Sequence, residues 1–375
     1  MDQKIYSGNG SYENILGILK KLGTKRLLLV CGNSFDKQEI SKEIMNLPVE
    51  IIKFSRITPN PKYEEVCEGL KVFKKNNCDT ILAIGGGSYL DVAKCIKLFC
   101  RMPDSKNYIK EEKVDTGVPI IAVPTTAGTG SESTQHSVIY YNGVKQSISH
   151  LSIIPEYVVL EPSLLKTLPK LQRKCSMLDA LCHAVESYWA VKANDESKFY
   201  ARQAIQMVLQ YKDAYLTNTN KGNAKMLAAA NFAGKAISIT ATTAGHAMSY
   251  KLTSLYDIPH GYACALCLTE VWSYLNEHID NCIHPNGEVY LVKTLEEIAE
   301  LFGAGKDINK AAEVFAKMVR ELNLLEVRTN SMDEINVLTK SVNPERLSNF
   351  PITMTPDAIE QLYIKLIYRG KQDES

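Results

Sequence analysis

The sequence predicts an α/β protein: an N-terminal Rossmann-like domain built on a parallel sheet, followed by an all-α C-terminal domain. Three observations predict it. In the first part of the chain, short apolar runs alternate with amphipathic runs of helical period, the pattern of a parallel sheet with helices on its faces. From about Asp179 onward strand-like runs largely disappear and helical periodicity takes over. At 375 residues the chain is also long enough for two cores, since single cores stop growing at roughly 250–300 residues. The division falls near "LEPSLLKTLPKLQ", where Pro162 and Pro169 punctuate the chain, giving an α/β domain over 1–162 and an all-helical domain over 163–375.

The elements come in a regular order. "SYENILGILKKLG" reads as a helix stopped by Gly23, and "RLLLVCG" as a buried strand. "VEIIKF" is a second strand and "KYEEVCEGLKVFKKNN" a helix. "TILAIGGG" is a strand running into glycines, "YLDVAKCIKLFC" the helix after it, and "VPIIAVPTT" another strand. In the second half, helical spacing runs through "LDALCHAVESYWAV", "SKFYARQAIQMVLQYKDAYL", "NAKMLAAANFAGKAISI" and "YACALCLTEVWSYLNEHI". It continues through "TLEEIAELFG", "INKAAEVFAKMVRELNL" and "PDAIEQLYIKLI".

Composition narrows the class. With 43 basic and 42 acidic residues well mixed, the net charge of +1 offers neither a nucleic-acid surface nor a membrane-binding face. The N-terminus lacks a signal-peptide pattern, and no apolar stretch is long enough to span a bilayer. The ten cysteines are scattered, so the chain reads as cytoplasmic with reduced thiols. Cys264 and Cys267 form a single C-x-x-C, which an apolar helical run explains better than a zinc or redox motif, because no second pair stands at zinc spacing.

Two loops carry the signal for a nucleotide. "AIGGGSYLDVAK" puts Gly85, Gly86, Gly87 and Ser88 between a strand and a helix, where the backbone can approach a phosphate and the helix N-terminus offers N–H groups. This is not the G-x-G-x-x-G fingerprint. "VPTTAGTGSEST" ends the next strand in small hydroxyls, Thr125, Thr126, Thr129 and Ser131, interleaved with glycines. Loops leaving the same edge of a parallel sheet frame one crevice at the strands' carboxyl ends.

The histidines carry the second signal. "LDALCHAVES" sets Asp179 and His183 four apart on one helix face. Adding His246 and His260 from "GHAMSYKLTSLYDIPHG" gives one carboxylate and three imidazoles, a set suited to Fe(II) or Zn(II) with an open position. Pro259 and Gly261 suggest a turn that aims His260 inward. His150, His278 and His284 lack such spacing and read as surface residues.

"GGGSYLDVAK", "PTTAGTGSE", "DALCHAVESY" and "HAMSYKLTSLYDIPHG", with "PNP" at Pro59–Pro61 and the late "VNPERL", together resemble the iron-dependent (group III) alcohol dehydrogenases over essentially the whole chain. The resemblance implies a metal held by Asp179, His183, His246 and His260. It implies a dinucleotide held by Gly32, Ser34, Asn60, Gly86, Gly87, Ser88, Asp91, Thr125, Thr126, Thr129, Thr134, Val138 and Lys145. It also implies a homodimer or larger homo-oligomer, a small aldehyde or alcohol as substrate, and a site completed by Tyr250 and Lys251.

Two departures stand out. Many members have a histidine where this chain has Tyr250, and a phenol with a reference pKa of about 10 is a poor base near neutrality. NAD-preferring members often carry an aspartate after the strand "RLLLVCG"; here the residues are Gly32, Asn33 and Ser34, which favours NADPH while leaving NADH possible. "ISITATTAGHAMSYKLTSLYDIPHGYACAL" looks most like the branch that reduces phosphonoacetaldehyde to 2-hydroxyethylphosphonate. That branch has an arginine where this chain has Ala241, which leaves Lys251, Thr240, Thr242 and Thr243 as anion partners. The alternatives are a general short-chain aldehyde or alcohol dehydrogenase, a dehydroquinate synthase-like lyase, and a non-catalytic nucleotide- or metal-binding protein.

Overall fold

The structure is a computed structural model and describes residues 3–103 and 107–368, so the outermost ends of the two expected domains lie outside the described residues. The chain forms two compact units, one of Met1–Leu168 with Thr217–Gly234, the other of Pro169–Leu216 with Lys235–Ser375.

The first unit alternates strand and helix: β1 (Lys4–Ser7), α1 (Asn14–Leu22), β2 (Arg26–Cys31), α2 (Ser41–Met45), β3 (Glu50–Phe54), α3 (Tyr63–Lys75), β4 (Thr80–Gly85), α4 (Gly87–Phe99) and β5 (Ile120–Pro124). An antiparallel hairpin, β6 (His136–Tyr141) and β7 (Val144–Ser149), precedes the last strand, β8 (Tyr157–Leu160). β1, β8, β5, β4, β2 and β3 lie in that order in one sheet, every pair parallel. Thr80–Gly85 and Ile120–Pro124 are buried along their whole length, as central strands covered on both faces must be. Gly23 ends α1 in the left-handed conformation, φ 67°, the stop expected of it.

The sequence pattern does not reveal β1, β8 or the hairpin. The two edge-side strands are only four residues each, too short to show a period. The hairpin does carry a signal: Asn142 and Gly143 turn it with φ 51° and 74°, the Asn-Gly turn whose backbone matches strand twist.

The second unit is helical: α5 (Lys170–Trp189), α6 (Asp195–Leu216), the end of α7 (Asn220–Thr240), α8 (Ala244–Tyr256), α9 (His260–Glu277), α10 (Gly287–Leu301), α11 (Ile308–Glu321), α12 (Met332–Lys340), α13 (Pro344–Leu347) and α14 (Pro356–Ile367). α5 packs on α6 and α9, and α8 packs on α9. The start of α7 groups with the sheet for a local reason. A Cβ built on Gly234 would stand 2.3 Å from the Gly130 carbonyl oxygen, so backbone meets backbone there, and Asn231 Nδ2 donates to Glu132 Oε1 at 3.2 Å. His284 corrects an expectation: it is buried, its Nδ1 accepting the Asn286 N–H at 3.1 Å, rather than lying at the surface. Among the described residues no helix is long and apolar enough to cross a membrane.

Candidate active site

In the first unit, the strand order reverses between β2 and β4, and open α/β sheets bind ligands at such a switch point, beyond the carboxyl ends of the strands. Gly32 succeeds β2 there, and Gly85–Gly87 join β4 to α4. Gly85 is held to glycine, since a Cβ there would fall 2.6 Å from the Tyr89 ring and 2.7 Å from its Cβ, and a Cβ on Gly32 would crowd the Tyr89 hydroxyl at 2.9 Å. The Thr loop closes on the glycine loop. Thr125 N–H donates to the Gly85 carbonyl at 3.0 Å, and a Cβ on Gly87 would meet the Thr129 methyl at 2.9 Å. Gly86, Gly87, Ser88, Thr125, Thr126 and Thr129 are thus gathered around the N-terminus of α4.

Asp91 and Thr134 stand behind that surface. Ser131 Oγ donates to Asp91 Oδ1 at 2.6 Å and the Val138 N–H to Asp91 Oδ2 at 3.0 Å. Lys94, which sequence reasoning missed, donates to Ser131 Oγ, Thr134 Oγ1 and the His136 carbonyl at 3.0, 2.9 and 2.8 Å. Burial lowers this ammonium to about 8 against the pull of Asp91 and Glu132. These groups therefore hold the loop's shape from within. Ser34 and Asn60 are exposed, Asn60 in the left-handed conformation at φ 56°, and Lys145 is half-buried on β7.

In the second unit, three helices bring the expected metal ligands together. Asp179 and His183 share the inward face of α5, His246 lies in the first turn of α8, and His260 opens α9 immediately after Pro259. Asp179 Oδ1 is 3.6 Å from His246 Nε2 and 3.9 Å from His183 Nε2. The His183 and His246 rings stack at 4.4 Å, and His246 meets His260 edge-on at 5.5 Å. Ligand atoms of Asp179, His246, His260 and Cys264 all lie within 4.8 Å of one another, with His183 beside them.

The donor set fits a divalent cation. Asp179 Oδ1 and His246 Nε2 are buried with no hydrogen-bond partner, a costly arrangement unless something else satisfies both. Burial raises the Asp179 carboxyl, but His183, His246 and His260 outweigh it and hold it well below the carboxylate range. Burial lowers the His246 imidazole, but Cys264, Glu186 and Asp179 together raise it well above its ordinary value.

Glu186 is the residue that sequence reasoning passed over. It is fully buried on α5, one turn beyond His183, and its Oε2 accepts from His246 Nδ1. Its Oε1 accepts the Thr243 N–H at 3.1 Å, the Thr243 hydroxyl at 2.6 Å and the His246 N–H at 3.3 Å. One carboxylate therefore satisfies otherwise unpaired donors at the start of α8 and fixes the His246 tautomer with Nε2 turned to Asp179. The signal was present in "DALCHAVES", where Asp179, His183 and Glu186 recur at helical spacing. Glu186→Gln places an amide N–H against His246 Nδ1. It is expected to weaken Zn(II) or Fe(II) binding about 10- to 100-fold, measured by chelator competition, with helical circular dichroism unchanged.

Tyr250 is stacked on His260, ring centroids 5.6 Å apart and 14° from parallel, and Thr253 Oγ1 lies 3.5 Å from His260 Nδ1. Lys251 is half-buried on the next position of α8. Of the threonines considered for an anion, Thr240 and Thr243 are fully buried and committed elsewhere: Thr240 to the Ala241 carbonyl at 2.7 Å, Thr243 to Glu186 and to Trp189 Nε1 at 3.1 Å.

A switch-point glycine loop in a parallel sheet and a buried carboxylate–imidazole cluster in a helical unit are features of metal-dependent, nucleotide-linked enzymes. The chain matches the family model described as iron-containing alcohol dehydrogenase over residues 2–162, and that of the Fe-containing alcohol dehydrogenase family, C-terminal, over residues 174–363. It belongs to the iron-containing alcohol dehydrogenase family. It is 32% identical to a 1-propanol dehydrogenase of Citrobacter freundii over 72% of this chain and 71% of that protein. It is 30% identical to an NAD-dependent methanol dehydrogenase of Bacillus methanolicus, over 71% and 73%. A sulfoacetaldehyde reductase from Bifidobacterium kashiwanohense, solved in complex with NAD+, superposes with a TM-score of 0.87 at 27% identity, covering 99% of this chain and 98% of that one. The chain is accordingly an alcohol or aldehyde dehydrogenase using NAD(P)(H) and iron, and neither a lyase nor a silent binding protein.

Proposed function

We propose that this enzyme reduces a short anionic aldehyde to its primary alcohol, with phosphonoacetaldehyde as the substrate and NADPH as the preferred reductant. The observation that carries the anionic reading is Arg346. The arginine absent at Ala241 is supplied by the "VNPERL" segment, whose Arg346 Nη1 donates to Thr242 Oγ1 at 3.2 Å. Thr242 lies on the loop between α7 and α8, directly before the helix that bears His246. Asn349 Nδ2 holds the same loop through the Thr240 and Thr242 carbonyls at 2.8 and 3.2 Å. A guanidinium half-buried beside this loop suits a phosphonate or sulfonate. Similarity to a reductase of sulfoacetaldehyde, also an anionic aldehyde, supports the same reading.

The residues just after β2 support NADPH. Asn33 and Ser34 are exposed there, the nearby Asp36 is ion-paired to Lys53 Nζ at 2.6 Å, and Gly32–Ser34 present no carboxylate to repel a 2′-phosphate.

Each group has its own task in this reaction. Asp179, His183, His246 and His260 hold the cation, and the N-terminus of α4 with Gly86, Gly87 and Ser88 receives the pyrophosphate. When bound, the cation supplies Lewis acidity at the carbonyl oxygen and the reduced nicotinamide supplies hydride to the carbonyl carbon. Tyr250, fixed by its stacking on His260, donates a hydrogen bond to the oxygen that gains charge, and the proton comes from solvent. Arg346 and Lys251 hold the anionic end. The test is kcat/KM for phosphonoacetaldehyde against propanal, with NADPH and with NADH. A preference of 100-fold or more, roughly 2.7 kcal/mol of differential transition-state binding, is expected, falling at least tenfold in Arg346→Ala. Equal values would replace this reading with a general short-chain dehydrogenase.

A further inference from the structure

We propose that Cys264 is a further metal ligand in this enzyme, its Sγ joining Asp179, His183, His246 and His260 around the cation. The inference rests on the reading of this cluster as the cation site and adds a donor to it. Cys264 stands four positions after His260, so both side chains emerge on one face of α9. Its Sγ lies 3.5 Å from His260 Nε2 and 3.7 Å from His260 Nδ1. It belongs to the group whose ligand atoms fall within 4.8 Å of one another, alongside Asp179 and His246, whose Oδ1 and Nε2 are among the buried atoms that lack hydrogen-bond partners. The thiol donates to Ser249 Oγ at 3.1 Å, and Ser249 is itself held by donating to the His246 carbonyl at 2.9 Å. The sulfur is thus held against His260 and Ser249 at the cluster, in a position as fully buried as that of Cys267.

Ligation is balanced chemically: as the Sγ–metal bond forms, the thiol proton leaves to solvent, and no redox partner is required. A sulfur donor shifts preference towards softer cations, so Zn(II) and Co(II) gain on Fe(II) relative to an all-oxygen-and-imidazole site.

The test uses the full chain loaded with Co(II) alone. The expected spectrum has an intense near-ultraviolet thiolate-to-cobalt charge-transfer band. Cys264→Ser abolishes the band, retains bound Co(II) and binds Zn(II) about 10- to 100-fold more weakly, while Cys267→Ser keeps the band. Stoichiometric Co(II) with no such band in the unaltered protein overturns the role of Cys264 and leaves the metal site standing. So does a band that survives in Cys264→Ser. Failure to bind Co(II), Zn(II) or Fe(II) at all overturns the metal-site reading itself.

Discussion

His260→Ala is expected to lower kcat/KM by about three orders of magnitude with the fold intact. Losing a ligand removes charge stabilisation at the reacting oxygen worth several kcal/mol, and about 4 kcal/mol corresponds to roughly 10³ in rate. The substitution is a clean one. His260 is half-buried at the first position of α9, and alanine there keeps a good helix former. Its ring lies against Tyr250, Thr253 and Cys264. His246→Ala would be less informative, because it strands the Glu186 carboxylate that His246 Nδ1 satisfies, and an unpaired buried acceptor costs stability by itself. The checks are steady-state kinetics, bound metal and a melting curve for each protein. Turnover lost at an unchanged melting temperature identifies a catalytic cation. A melting temperature that collapses while residual turnover persists would make the cation structural.

Much of this site is legible without the fold, for reasons that can be located. The glycine and threonine loops announce themselves because each terminates a buried strand, and β4 and β5 are neighbours in the sheet. Asp179 and His183 are legible because their helical spacing is local. His246 and His260 become interpretable once a carboxylate partner exists for them. The residues that escape are of two kinds. Glu186 and Cys264 stand at helical spacing from expected ligands and read as something blander, one as an ordinary acid, the other as apolar filling of a C-x-x-C. Lys94 and Arg346 lie within "GGGSYLDVAK" and "VNPERL", but nothing local says what either side chain meets. Lys94 reads as the charged residue of an amphipathic helix, yet it is fully buried and ties α4 to the threonine loop. Arg346 acts on a loop distant in sequence, so its hydrogen bond to Thr242 cannot be foreseen without the fold. Local periodicity specifies which face a residue occupies, while long-range closure decides what that face meets.

Gly261→Ala is expected to damage both stability and metal binding, and it explains the glycine next to His260. Pro259 and Gly261 suggest a turn, but Gly261 is helical; what it permits is the approach of α9 to α5. A Cβ at Gly261 would stand 2.1 Å from the Cys175 carbonyl oxygen and 2.6 Å from Asp179 Cβ. Both obstacles are at or next to backbone, so no rotamer change relieves them, and α9 must move away from α5. Overpacking of this kind costs about 1–3 kcal/mol, occasionally more, and this case belongs at the upper end. The displacement acts directly on the site, since the two elements being separated carry Asp179 and His260. A misplacement of about 1 Å can cost 10²-fold in rate, so turnover should fall by about that factor even in the fraction that remains folded. Gly17→Ala is the control: nothing lies within 4 Å of its Cβ position in α1, and alanine in a helix interior should be neutral or stabilising by about 0.5–1 kcal/mol. Melting curves and metal titrations of the two variants side by side make the comparison. If Gly261→Ala melts and binds metal like the unaltered protein, α5 and α9 are not in close backbone contact at Asp179, and the geometry on which the cation site depends is wrong.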